Sequence, residues 1–212
     1  MIVGPSDTPY AYGYFFFEFE FPPDYPYSPP KVKYCTQNIN NRIRFNPNLY
    51  RSGKVCISIL NTWAGDQWSG CQTISSVLLT LCTLFTVSPL LNEPGILPSH
   101  SEIIPYNEII SYETITTAII GMTDDTYRPK QFNRFRNDII RLNSENRVSI
   151  QTNINMLKNK IPNGKIIECN FFNMKCCIMH ESMQIVDSVA VDSVAVDSVA
   201  VDSVAVDSTE SI

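Results

Sequence analysis

Five prolines within the ten residues FPPDYPYSPP, Phe21 to Pro30, constrain this chain more than any other feature. Each proline fixes φ and removes an amide donor, so the segment can be neither a helix nor an interior strand. It must be an extended, rigid connector, and the sequence on either side says what it connects. Upstream, YFFFEFEF (Tyr14 to Phe21) places Glu18 and Glu20 on one face and Phe17, Phe19 and Phe21 on the other, the two-residue period of a half-buried strand. Downstream, residues 31–35 form a short strand. Ile2 and Val3 end a preceding strand, and GPSDTPYAYG is the hairpin turn between it and the next.

Beyond the strands the period changes. In CQTISSVLLTLCTLF, Ile74, Val77, Leu78, Leu81, Leu84 and Phe85 recur at helical spacing behind a capping Thr73, and Pro89, Pro94 and Pro98 forbid continuation. A second helix is expected over 106–122, where Ile109, Ile110, Ile115, Ile119 and Ile120 return, a third over 131–142 and a fourth over 148–160. Within residues 161–183, KIIECNFF reads either as a pairing strand or as a docked irregular arm, and both readings stay open. From Val186 a VDSVA unit repeats with Asp at 187, 192, 197, 202 and 207. A five-residue period matches neither a helix face nor a strand, and too few copies are present to stack as a solenoid. Ordering such a tail costs roughly 1–2 kcal/mol of backbone entropy per residue, which Ala and Val burial does not offset. The tail is expected to be disordered, with an acidic interaction arm as the minority reading.

That tail also distorts the net charge. The chain carries −5 overall, but setting aside the six acids of 184–212 leaves the body close to neutral. A near-neutral body lacks the basic footprint of a nucleic-acid binder. Seven cysteines, an odd number without small-scaffold spacing, argue against a disulfide framework and for a reducing compartment. No signal peptide or membrane span is expected.

Cysteine is among the most buried residue types, and Cys35, Cys71, Cys82 and Cys169 are read as small core hydrophobes. Adjacent Cys176 and Cys177 with His180 fall short of zinc-ligand spacing. Cys56, in NPNLYRSGKVCISIL, stands apart. No Asp or Glu occurs between Asp24 and Asp66, whereas Lys31, Lys33, Arg42, Arg44, Arg51 and Lys54 all fall there, and positive neighbours stabilise a thiolate. A cysteine–histidine mechanism would have only His100 and His180 to draw on. A thiol that merely receives and hands on an acyl group needs no resident histidine, since thiolate is a good leaving group; it needs a donor for the oxyanion.

The ordered set GPSDTPYAYGYFFFEFEFPPDYPYSPPKV, NPNLYRSGKVCISIL, the tryptophans and TISSVLL behind it, and NEPG resembles the catalytic domain of a ubiquitin-conjugating enzyme over residues 1 to about 122. RFNPNLY, GKVCISIL, and NEPG followed by YNE and ETI are most similar to the class Z members, which carry ubiquitin and a tandem ubiquitin-like modifier. The resemblance implies an α+β fold: an antiparallel meander sheet with packed helices, lacking the family's N-terminal helix and first strand, plus a helical C-terminal extension. It divides the chain into a catalytic core (1–125), an extension (126–183) and the acidic repeat tail (184–212).

By the same resemblance Cys56 takes the modifier's C-terminus as a thioester and passes it to a substrate lysine. Asn48 corresponds to the Asn of the family's His-Pro-Asn motif and supports either the oxyanion or the loop. Asn46 stands at the His position, with a structural consequence, and Pro47 keeps the turn rigid. Glu93 falls near the mouth of the site and either gates the incoming lysine or is a solvated loop carboxylate. Trp63 and Trp68 are expected in the core and loop wall. No cofactor or metal is implied, because ATP is consumed by the upstream activating enzyme. The implied partners are the modifier, that enzyme, a ubiquitin ligase and protein substrates, with no nucleic acid and no membrane, in cytoplasm and nucleus. The family's first helix is a main docking surface for activating enzyme and ligases, so a non-catalytic adaptor of the same fold is the alternative reading. A thiol protease is the third.

Overall fold

Tyr14, Phe15, Phe16 and Phe17 are all buried, and a strand buries such a run only when both of its faces are covered. The computed structural model, which describes residues 1–185, shows how. Strand β1 (Ile2–Val3) pairs antiparallel with β2 (Tyr14–Phe15), and β3 (Phe17–Glu20) pairs antiparallel with β4 (Lys31–Tyr34). The expected single strand over 14–21 is broken at Phe16. Thr36 causes the break: its Oγ1 accepts from the Phe16 amide at 2.9 Å and donates to the Tyr14 carbonyl at 3.0 Å, substituting a side chain for ladder bonds. Phe15 and Phe17 join the main core. Tyr14 and Phe16 face the other way, into a second cluster with Met122, Phe132 and Ile139. Alternation holds from Phe17 to Glu20, but Phe21, expected inside, is 51% exposed.

The proline segment is also turned rather than extended. Tyr25 N–H donates to Pro22 O and Tyr27 N–H to Asp24 O, and the Trp68 indole N–H reaches back to Pro26 O at 2.8 Å. Five prolines excluded helix and strand, as the sequence implied, yet their preset φ also suits tight turns.

Helix α1 (Ile74–Cys82) starts where Thr73 and Ser76 exchange side-chain to backbone hydrogen bonds, a capping box. Its buried stripe is Val77 and Leu81, continued by Leu84 and Phe85. Leu78 and Cys82 are exposed, so Cys82 is not the core residue expected, and exposed Cys71 is not either. Cys169 is buried as expected. Helix α2 (Ile103–Glu113) begins three residues before the anticipated Tyr106, and at Thr114 the coil widens to a π-helix over Thr114–Gly121. A 3-10 turn (Lys130–Phe135) leads into α3 (Arg136–Glu145), followed by α4 (Arg147–Lys160).

Residues 161–183 resolve the open question in favour of a hairpin, β5 (Ile166–Cys169) against β6 (Met174–Cys177). The extension is not a separate body. Ile150, Ile154, Leu157, Ile167, Met174 and Ile178 belong to the same core as Phe15 and Val77, while Phe132 stacks on Phe16 at 4.5 Å and closes the sheet's other face. No helix among the described residues is long and apolar enough to cross a membrane. The repeat segment from Val186, and the disorder expected of it, lie outside the described residues.

Candidate active site

The chain leaves β4, runs through an irregular loop and enters the turn Asn46–Pro47–Asn48. It then makes a second turn at Arg51–Gly53 and arrives at Cys56. Short bridges between Asn46 and Leu49 and between Leu49 and Val55 fold these turns together. Gly53 is needed at the second turn: its φ is +88°, and a Cβ there would lie 2.9 Å from the Lys33 side chain.

Asn48 and Cys56 are joined twice. The Cys56 amide donates to the Asn48 carbonyl at 2.9 Å, and the Asn48 side-chain amide donates to the Cys56 carbonyl at 2.7 Å. Of the two roles open to Asn48, the observed geometry is the loop-holding one. Its other side-chain atom, Oδ1, is buried with no hydrogen-bond partner. The Cys56 thiol donates to the Thr62 carbonyl at 2.9 Å, and Cys56 is 4% exposed.

Thr62 closes the far side. Its hydroxyl accepts from the Ile57 amide at 3.0 Å and lies 2.9 Å from Val55 O and 3.0 Å from Ile57 O, so it straddles the cysteine's two neighbours. The intervening Ser58–Leu60 turn buries Ile59 and Leu60 and ends at Asn61 in the left-handed region. There Asn61 Oδ1 accepts from the Trp68 amide at 2.8 Å. Trp68 is a wall residue as anticipated, whereas Trp63, 47% exposed, is on the surface.

Asn46 is fully buried and satisfied on all sides. Its amide donates to the Tyr10 hydroxyl at 3.1 Å and to Leu84 O at 2.8 Å, and its Oδ1 accepts from the Asn48 amide at 2.9 Å and from Asn92 Nδ2 at 3.4 Å. The Tyr10 hydroxyl itself donates to Phe45 O, and burial raises its pKa far enough to keep it a neutral donor. Asn46 is therefore a structural node tying the N-terminal hairpin, the segment that follows α1 and the site turn together.

Glu93 ends the Pro89–Asn92 turn, half-buried, its amide bonded to Leu90 O. No contact among the described residues joins its carboxylate to Cys56 or Asn48. Its neighbour Asn92, through Asn46, is what links this loop to the site. Tyr10, Thr62 and Asn92 were not singled out from sequence. Their only signal is a polar residue among apolar ones in a turn, with partners 2–46 positions away.

The cations expected to flank the thiol mostly face elsewhere. Lys31 pairs with Glu20 at 3.1 Å. The Arg44 guanidinium packs on the rings of Tyr50 and Phe172 and donates to Pro47 O, Arg51 donates to Phe172 O, and the Lys54 ammonium lies 5.7 Å from the Tyr50 ring. His100 and His180 are likewise engaged away from Cys56, His100 accepting from the Glu102 amide and His180 bonded to Ile161 O. Two cavities of about 600 and 550 Å³ are lined by neither Cys56, Asn48 nor Glu93. Among the described residues no group of three or more His, Cys, Asp or Glu side chains is placed to hold a metal ion.

Comparison with known proteins adds to this geometry. The family model described as ubiquitin-conjugating enzyme matches residues 1–96. The chain is 52% identical over 128 residues to ubiquitin-conjugating enzyme E2 Z of Homo sapiens, covering 58% of this chain and 35% of that protein. It is 50% identical over 128 residues to the Danio rerio protein of the same name, covering 58% and 38%. A probable ubiquitin-conjugating enzyme protein 17 of Caenorhabditis elegans is 48% identical over 99 residues, covering 45% of this chain and 14% of its own length. The chain thus spans little more than a third of the class Z relatives it matches.

Proposed function

We propose that residues 1–96, which match the ubiquitin-conjugating enzyme family model and resemble the E2 Z relatives, form a ubiquitin-conjugating domain in which Cys56 is a carrier for ubiquitin or a ubiquitin-like modifier. Cys56 Sγ attacks the carbonyl carbon of the modifier's C-terminus, held as a thioester on the activating enzyme. The new C–S bond forms as the old one breaks, and the proton given up by Cys56 leaves with the released thiol. A substrate lysine amine then attacks the Cys56 thioester. The oxyanion that forms collapses to an amide, the Cys56 thiolate leaves, and the proton lost by nitrogen returns to sulfur through solvent. No group on this chain has to be oxidised or reduced, and no cofactor is required, ATP being spent by the activating enzyme.

The observation that carries the reading is the pair of hydrogen bonds between Asn48 and Cys56. It fixes the backbone on which the thiol sits. Large cavities away from Cys56 fit this role too, since a carrier of protein tags meets its partners across surfaces. For loading, the Sγ–H bond to Thr62 O has to be exchanged for solvent, a rotation about one side-chain torsion. All seven cysteines are free, which supports a reducing compartment such as cytoplasm or nucleus. Core (1–125) and extension (126–183) act in this reading as one catalytic unit, with an activating enzyme, a ligase and protein substrates as partners.

Incubating the chain with activating enzyme, ATP and ubiquitin, then comparing non-reducing with reducing gels, tests it. A thiol-sensitive adduct is expected in the wild type, lost in Cys56→Ala and retained when His100 and His180 are both replaced. Absence of any adduct in the wild type contradicts the carrier reading and returns the domain to an adaptor role. Loss of the adduct in the double histidine variant would instead point to histidine-assisted thiol chemistry.

A further inference from the structure

The tip of the β5–β6 hairpin reaches the site turn. Phe172 stands there with φ 60° and ψ 14°, in the left-handed region that a bulky residue seldom occupies, and Asn173 follows at φ 48°. Four contacts hold the tip. Glu102 accepts from the Asn170 amide at 2.9 Å and from its side chain at 2.7 Å, the Arg51 guanidinium donates to Phe172 O, the Tyr106 ring meets Phe172 edge-on at 6.2 Å, and the Arg44 amide lies 3.3 Å from Met174 Sδ.

What the tip delivers is a ring beneath Arg44. The guanidinium carbon is 4.1 Å from the Phe172 ring centre and 3.8 Å from that of Tyr50. Its Nη2 donates to the carbonyl of Pro47, between Asn46 and Asn48, and its backbone carbonyl accepts from Tyr106 OH at 2.7 Å. Arg44 Nε and Arg51 Nε are buried without a hydrogen-bond partner. The cation is thus kept in place by two π faces and one carbonyl rather than by a carboxylate, an arrangement that depends on the rings staying put.

We propose that Phe172 and Arg44 are positioning residues for acyl transfer, the extension acting through them to hold the Asn46–Asn48 turn against Cys56. The proposal rests on the carrier reading for its kinetic consequence but not for its structural one. A strained residue maintained at the end of a hairpin, packed on a cation that bonds the site turn, is what a brace requires. Among the described residues no carboxylate pairs with Arg44, so its placement depends on the rings and the Pro47 carbonyl. Displacement of a supporting group by a fraction of an ångström is enough to slow a positioned reaction.

The test has two arms on the full chain. In the first, Cys56 is preloaded with ubiquitin and its discharge onto free lysine is followed in single turnover for wild type, Phe172→Ala, Phe172→Tyr, Arg44→Ala, Arg44→Lys and Lys175→Ala. Discharge is expected to fall on the order of 10-fold in Phe172→Ala, Arg44→Ala and Arg44→Lys. It should recover in Phe172→Tyr and be unchanged in Lys175→Ala, which loses only the exposed pair with Glu168 on the same hairpin. In the second, amide hydrogen exchange at Asn48 and Cys56 is measured without any loading. It is expected to speed up about 10-fold in Phe172→Ala relative to Lys175→Ala, because both amides bond within the braced turn. If Phe172→Ala leaves both amides as protected as in Lys175→Ala, or discharges like wild type, the inference is overturned. If the wild type cannot be loaded, the carrier reading fails while the exchange arm still decides whether the brace exists.

Discussion

The Asn48 amide donates to the Cys56 carbonyl at 2.7 Å, and that bond separates the two roles a sequence leaves open for it. Removing it in Asn48→Ala strands a part-buried carbonyl, a loss of about 1 kcal/mol, equivalent to a melting temperature about 2–4 °C lower in a chain of this size. Lysine discharge from Cys56 should slow at the same time. A donor that served only the oxyanion would slow transfer 10²- to 10³-fold and leave the melting temperature unchanged, so thermal melts run beside discharge assays distinguish the two. The same scale shows why Asn46 is not a weakened histidine: it bonds Tyr10, Leu84, Asn48 and Asn92 at once.

Helix α2 and its π continuation carry a carboxyl with a burial-driven upward shift, Glu113. It is 7% exposed, accepts from Thr117 at 2.8 Å and lies 3.8 Å from the Cys176 thiol of β6. Desolvation raises its pKa above the ordinary 4.5, with the hydrogen bonds from Thr117, Asn38 and Cys176 opposing. The folded state therefore holds this proton more tightly than the unfolded state does. Stability from this group is full below pH 4.5 and is lost as pH rises through the folded value. Glu113→Gln is expected to melt hotter than wild type at pH 7, with the gap closing as pH falls toward 4.5. A gap that widened on acidification would contradict this account. Other properties of these elements were legible in sequence because they are local: the alternation of Phe17 to Glu20, the Thr73 cap, the period of α4. What was not legible depends on distant residues. Thr36 breaks the strand at Phe16 from 20 positions away, Phe132 covers its back face, and the β5–β6 turn is made by Phe172 and Asn173 without a glycine.

Across the whole molecule the extension and the core are one packed body, and the site turn sits where they meet. Motifs in order along the first half of the chain pointed to Cys56 and Asn48, and the structure joins that pair directly. Glu93 it joins only through its neighbour Asn92, and the basic residues around Cys56 turn out to brace backbone and rings rather than crowd the thiol. These facts bear on one central claim, that the modifier is carried on Cys56 and on no other of seven free thiols. Exposure alone would favour Cys71, Cys82 or Cys177 over Cys56, which is 4% exposed, so the claim is sharp. The most direct measurement is peptide mapping by mass spectrometry of the chain after reaction with activating enzyme, ATP and ubiquitin. The account predicts a single thiol-labile ubiquitin adduct on the peptide containing Cys56. An adduct confined to Cys71, Cys82 or Cys177, or none at all, would contradict it.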